Sequence, residues 1–250
     1  MRPLAQCQVL LAAVFASAAA MVSISAHAQD RVAERAAMVE TIKRHARSAP
    51  SAVEGQGIDP AVLTTMGKVP RHLFVPEAQR GAAYRDQPLP IGYGQTISQP
   101  FIVALMTDLI NVGPGDTVLE IGTGSGYQAA VLSPLAAKVY SIEIIPELGK
   151  RAAARLGELR FSNVETMVGD GYYGWPAHAP FDGIVVTAAA SHIPPPLVEQ
   201  LAKGGRMVVP VGGLFATQFL MLVEKRQDGS ITTRQLLPVA FVPLRQSRGQ

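Results

Sequence analysis

The chain has 250 residues, 48% of them apolar and 16% charged, with a formal net charge of +3. That length suits one well-packed α/β domain and is too short for two large ones. The basic residues are spread along the chain and not massed in a run, so no nucleic-acid or anionic-membrane partner is indicated.

The first thirty residues differ from the rest. Arg2 precedes an apolar, alanine-rich stretch from Val9 to Ile24, and the small-residue site Ala26-His27-Ala28 follows. This is the layout of a secretory signal peptide over residues 1–28, and it predicts export to the periplasm. The stretch is short for a bilayer span, so no membrane association is expected after removal of the leader. Cys7, the single cysteine, lies inside it. A processed chain would therefore carry no disulfide, thiolate metal ligand or cysteine nucleophile.

From Asp30 to about Ser48, Val32, Ala36, Val39 and Ile42 recur at helical spacing, which predicts an amphipathic helix with these residues on the core side. Ser48 to Gly57 is rich in Ser, Pro and Gly and ends it; Asp59 and Pro60 then offer a cap and first turn for a short helix over Ala61 to Gly67. Residues 29–58 are read as helix and linker, and 59–250 as the catalytic domain. Val69 to Pro100 reads as a loop-rich Pro/Gly segment running into a helix near Phe101. From Thr117 onward strands (Thr117–Ile121, Val139–Glu143, Val164–Val168, Gly183–Thr187, Arg206–Pro210) alternate with helices (Tyr127–Ala136, Pro146–Leu159, Pro195–Ala202). Such alternation predicts a doubly wound, mostly parallel sheet with helices on both faces. Phe219–Glu224 and the stretch after Ile231 flank a Gln227-Asp228-Gly229-Ser230 turn, which predicts an antiparallel hairpin at one sheet edge. Periodicity does not give the strand order.

Glu120-Ile121-Gly122-Thr123-Gly124-Ser125-Gly126-Tyr127 stands where the first buried strand turns into its helix. Glycines let backbone amides approach a ligand, and the helix start favours an anionic group. A dinucleotide fingerprint needs its third glycine where Tyr127 stands, which disfavours a nicotinamide dehydrogenase. Glu143 follows Gly122 by 21 residues at the end of the second strand, placed to accept from ribose hydroxyls, with Ile144 beside it. Asp170-Gly171 ends the third strand and places an acceptor for an adenine amino group at the same sheet edge. Glu120, Gly122, Gly124, Gly126, Glu143, Ile144, Asp170 and Gly171 together read as a nucleoside site.

Ser98, two residues before Pro100, reads on its own as a helix N-cap. The run Leu89-Pro90-Ile91-Gly92-Tyr93-Gly94-Gln95-Thr96-Ile97-Ser98-Gln99-Pro100, however, resembles the signature of the protein-L-isoaspartate (D-aspartate) O-methyltransferase family. The similarity continues through Val118 to Ala129, Gly169 to Gly171, Ala179-Pro180-Phe181-Asp182, Val186-Thr187-Ala188-Ala189 and Phe241-Val242-Pro243-Leu244, and spans nearly everything from Asp59 to Leu244. The resemblance implies a class I, Rossmann-like methyltransferase that uses S-adenosyl-L-methionine. Its partners would be damaged proteins containing L-isoaspartyl or D-aspartyl residues, and the enzyme would act as a monomer. It implies that Ser98 is the active-site serine, with Ile97, Gln99 and Pro100 lining the cofactor and substrate pocket. In such a family the ester product closes to a succinimide, whose hydrolysis returns part of the chain to normal aspartate. The amino-terminal extension is the departure: it points to export, whereas the cofactor is made inside cells, which points to the cytoplasm.

Two alternatives remain at this point: a class I methyltransferase with another substrate, and a non-catalytic binder of isoaspartyl sites. A serine hydrolase is disfavoured because the glycine loop lacks the Gly-x-Ser-x-Gly register. His72, His178 and His192 show no metal spacing and read as structural or surface groups, and Trp175 as packing.

Overall fold

The structure, a computed structural model, describes residues 31–49, 57–213 and 216–247. The leader expected over residues 1–28 lies outside them. Helix α1 (Val32–Ser48) buries Arg35, Met38, Ile42 and Ala46. Of the expected stripe only Ile42 is fully buried, and Val32 is 57% exposed. The helix is rotated because Arg35 turns inward toward Tyr84, whose hydroxyl it hydrogen-bonds. Helix α2 (Pro60–Lys68) begins as expected, with Asp59 Oδ1 accepting from the Ala61 amide at 2.6 Å and Pro60 in the first turn.

The segment after α2 is more ordered than its composition predicts. It holds two 3-10 turns (Arg71–Phe74 and Glu77–Ala82) and an antiparallel hairpin of β1 (Leu89–Gly92) and β2 (Gln95–Ile97), with Leu89 opposite Ile97. The turn needs positive φ at Gly92, Tyr93 and Gly94, so the glycines that read as loop are what close the hairpin. Helix α3 (Pro100–Leu109) follows and is buried on nearly every side, as its uninterrupted apolar sequence requires.

Seven strands form the central sheet: β3 (Thr117–Ile121), β4 (Lys138–Glu143), β5 (Val164–Val168), β6 (Phe181–Val186), β7 (Leu201–Val211), β8 (Gln218–Lys225) and β9 (Ile231–Val239). Their order is β5-β4-β3-β6-β7-β8-β9. The first five are parallel, and β8 and β9 add antiparallel to the β7 edge. Val118, Leu119, Ile121, Ile184, Val185 and Val186 are buried, the pattern of parallel strands covered on both faces. Between them run α4 (Tyr127–Leu132), α5 (Pro146–Glu158) and α6 (Pro195–Gln200). Helix α4 stops four residues short of the expected Ala136 and passes into a 3-10 turn over Ser133–Leu135, where Pro134 lacks an amide hydrogen to continue it. Because the chain winds from β3 outward to β4 and β5 and then crosses to β6 on the other side, the carboxyl ends of β3, β4 and β6 open a crevice. Open α/β sheets bind ligands at such a switch point.

Candidate active site

The loop after β3 bends through left-handed conformations at Gly122 (φ +94), Gly124 (φ +54) and Gly126 (φ +87). Glu143, at the end of β4, ties this loop down: Oε2 accepts from the Gly124 amide at 2.7 Å and Oε1 from the Ile145 amide at 2.9 Å. Each carboxylate oxygen keeps a lone pair, so the pair can still accept from two hydroxyls. Ile121, Ile142, Ile144 and Ile145 add an apolar wall to the cleft, and Gly171 bounds it from β5.

Glu120 lies beneath this loop and not in the cleft. It is fully buried, and Ser141 Oγ donates to its Oε2 at 2.5 Å while Thr123 Oγ1 meets the same serine. Burial, reinforced by the neighbouring Glu143 charge, pushes its carboxyl up to about 8, so at neutral pH it is largely protonated. This corrects the expectation that Glu120 faces a ligand; it supports the floor.

The segment after β9 crosses the mouth of the crevice. Val242 O accepts from the Ala189 amide and the Leu244 amide donates to Ala189 O, both at 2.8 Å. Pro243, Leu244 and Arg245 thereby line the cleft. Farther on, the Ser247 amide and hydroxyl both donate to Asp170 Oδ2 at 2.8 Å. The carboxylate expected to receive an adenine amino group thus also anchors this strap.

A second, larger cavity of about 670 Å³ adjoins the cleft. Ser98, Gln99 and Phe101 line it from the start of α3, His45 and Ser48 from α1, and residues 237–242 from the end of β9 and the strap. Thr96, Thr187 and Val242 border both spaces and mark where they meet. Thr187 Oγ1 donates to Gly122 O at 2.7 Å, so the junction is fixed to the glycine loop. Ser98 does not cap α3. Gln99 is the cap residue, and the first-turn amide of Phe101 is taken by Asp86 Oδ1 at 2.8 Å.

Gly122, Gly124, Glu143, Ile144 and Gly171 therefore line the cleft, and Ser98 and Gln99 the cavity. Ile97 and Pro100 are buried and line neither. Strand alternation explains Ile97: Thr96 faces out of β2 and Ile97 into the core. Gly126 caps α4, packed near Leu156. Thr96, Thr187, Asp86 and His45 belong to the site as well, although no sequence motif marks their roles. Alternation with Ser98 was the available signal for Thr96, and the strand-end position for Thr187; His45 carried none. His72 is buried against Tyr84 at 2.6 Å, and His178 stacks on Tyr140 beside Trp175, structural roles in each case.

The family model described as Protein-L-isoaspartate(D-aspartate) O-methyltransferase matches residues 49–249. The chain is 62% identical over 222 residues to Protein-L-isoaspartate O-methyltransferase 1 of Cupriavidus necator, covering 89% of this chain and 86% of that one. It is 61% identical over 212 residues to Protein-L-isoaspartate O-methyltransferase 2 of Syntrophobacter fumaroxidans, covering 85% and 86%. A solved protein-L-isoaspartate O-methyltransferase superposes with a TM-score of 0.73 at 28% identity, over 84% of this chain and 65% of that chain. A Plasmodium falciparum chain, named as a candidate for the same enzyme and solved with S-adenosyl-L-homocysteine, gives 0.69 at 27% identity, over 84% and 98%.

Proposed function

The chain belongs to the protein-L-isoaspartate(D-aspartate) O-methyltransferase family, and from that premise we propose that it methylates the free carboxylate of L-isoaspartyl residues in damaged proteins, with S-adenosyl-L-methionine as donor. The reaction is the first step of their repair. The observation that carries this reading is the junction of the glycine-loop cleft with a wider cavity at Thr96, Thr187 and Val242, with Ser98 on the wide side. The cleft fits the cofactor: Gly122 and Gly124 carry no side chain to block its approach, Glu143 has lone pairs for the ribose hydroxyls, and Gly171 bounds the adenine end.

When bound, S-adenosyl-L-methionine supplies a methyl group already activated on a sulfonium. The protein has no strong base to provide, since a carboxyl group with an ordinary value near 4 is ionised at neutral pH. Its work is alignment and exclusion of water. The Ser98 hydroxyl donates a hydrogen bond to the acceptor carboxylate and fixes which oxygen faces the junction. Phe101, Ile102 and Val242 displace water from that oxygen.

The proposed location is the periplasm, supported by the leader-like composition of residues 1–28; the cytoplasm, where the cofactor is made, is the alternative. Among the described residues no helix is long and apolar enough to cross a membrane. Fractionation with sequencing of the mature amino terminus decides between the two.

Transfer of label from radioactive S-adenosyl-L-methionine to an isoaspartyl peptide, with the normal aspartyl peptide as control, tests the activity. Labelling of the isoaspartyl peptide alone is expected. Equal labelling of both would move the chain to another substrate, and binding without labelling would make it a non-catalytic receptor.

A further inference from the structure

Helix α1 precedes residues 49–249, the span that matches the family model, yet it supplies His45 to the wall of the acceptor cavity. Among the described residues that line this cavity, His45 alone is ionisable. Its Nδ1 meets Asp86 Oδ2 at 2.5 Å, and its ring stands edge-on to Phe101, 5.6 Å between centroids. Asp86 is buried and also accepts from Gln99 Nε2 at 2.9 Å and from the Phe101 amide. One carboxylate therefore orients the imidazole and fixes the turn that carries Ser98. Nε2 makes no hydrogen bond among the described residues and is the nitrogen left for a ligand.

We propose that His45 is a recognition residue for the acceptor carboxylate, donating from Nε2–H while Asp86 holds Nδ1–H. The proposal rests on reading the larger cavity as the acceptor site. A donor on each side of the ring lets it bridge Asp86 and the substrate carboxylate. The sign of the effect follows from the reaction. Methyl transfer from a sulfonium to a carboxylate discharges the acceptor, so a hydrogen-bond donor beside it stabilises the bound anion more than the transition state. His45 should therefore act on KM and not raise kcat.

The test uses the full chain loaded with S-adenosyl-L-homocysteine and two peptides, one isoaspartyl and one with that carboxylate replaced by a carboxamide. Wild type, His45→Gln and His45→Lys are compared by calorimetry, and kcat and KM are measured with the methyl donor. The Gln variant, which lacks the ring's two opposed donors and so cannot bridge Asp86 and the ligand, should bind the carboxylate peptide about tenfold more weakly. It should bind the carboxamide peptide and S-adenosyl-L-homocysteine as wild type does, which also shows that it folds. In turnover the loss should fall on KM, and Lys should restore part of it. Equal weakening of both peptides, or none, overturns the proposal. Carboxylate selectivity that depends on His45 in a chain that transfers no methyl group would sink the proposed activity and leave this assignment standing.

Discussion

Arg71 donates from Nη2 to the backbone carbonyl of Ser98 at 2.7 Å, and from Nε to Ala83 O at 2.8 Å. The guanidinium is fully buried, with its carbon 4.8 Å from the centroid of the Tyr127 ring. Burial holds it below its ordinary value, and the Tyr127 ring and the Asp86 carboxylate offset part of that effect. A planar fork reaching two carbonyls from one position joins the first 3-10 turn to the residue expected to touch substrate. Arg71→Lys keeps the charge and loses the fork. It should cost about 2–3 kcal/mol of stability and lower kcat more than it raises the dissociation constant of S-adenosyl-L-homocysteine. Thermal melts paired with calorimetry read both, and wild-type kcat in a destabilised variant would show that the link to Ser98 does not matter.

Ser98→Ala removes a hydroxyl that neither caps α3 nor bonds within the described protein. Folding should be unaffected and kcat should fall by about 10²-fold, as expected when a reacting group loses its orientation. Cofactor affinity by calorimetry should match wild type. Turnover at the wild-type rate would remove the serine from the mechanism.

Glu120 gives a pH signature. Its folded-state value, about 8, lies above its ordinary value of 4.5. Below pH 4.5 both folded and unfolded states are protonated, and the group contributes no penalty. As pH rises from 4.5 to 8 the unfolded chain ionises first, so stability is lost through this window and levels off above it. Glu120→Gln stays neutral and keeps the acceptor for Ser141. Its melting temperature should match wild type near pH 4.5 and exceed it by several degrees at pH 8. A pH-independent difference would contradict the assignment.

Two glycines separate backbone strain from helix propensity. A Cβ on Gly122 would lie 2.5 Å from Thr187 Oγ1 at a φ of +94. Gly122→Ala should therefore cost roughly 1–3 kcal/mol and abolish cofactor binding. Gly157, exposed near the end of α5, would meet nothing within 4 Å. Gly157→Ala should stabilise by about 0.5–1 kcal/mol. Denaturant melts of both variants check the contrast, which fails if both move in the same direction.

The cleft holds a free space of only about 50 Å³ beneath Pro243, Leu244 and Arg245, against the roughly 300 Å³ or more of ordinary ligand pockets. The strap must shift when the nucleoside binds. Ser247→Ala removes one of its two bonds to Asp170 and should raise the association rate of S-adenosyl-L-homocysteine by roughly threefold. Stopped-flow fluorescence measures this, and an unchanged rate would mean that opening is limited elsewhere.

The alternation of strands and helices from Thr117 onward was legible because buried parallel strands are short apolar runs separated by amphipathic or capped helices. β3, β4 and β5 fall within a residue of their expected limits. Glu143, Gly122 and Gly124 were legible because turns at strand ends need particular residue types. Ile97 and Pro100 were misplaced because a motif marks a stretch of chain, whereas alternation decides which of its side chains face the ligand. The inward turn of Arg35 and the place of His45 depend on tertiary packing against Tyr84 and Asp86, which a single-helix pattern does not encode. Strand order was silent for the same reason.

Both chambers are roofed by residues 237–245, while their floor comes from residues 45–188. The floor therefore precedes the cover in the chain, and the donor and acceptor compartments close only when β9 has docked. A chain without its docked carboxyl-terminal end can own Glu143 and the glycine loop and still lack a covered meeting place for the two reactants. Competence therefore depends on the docked carboxyl-terminal end as much as on Ser98 and the glycine loop.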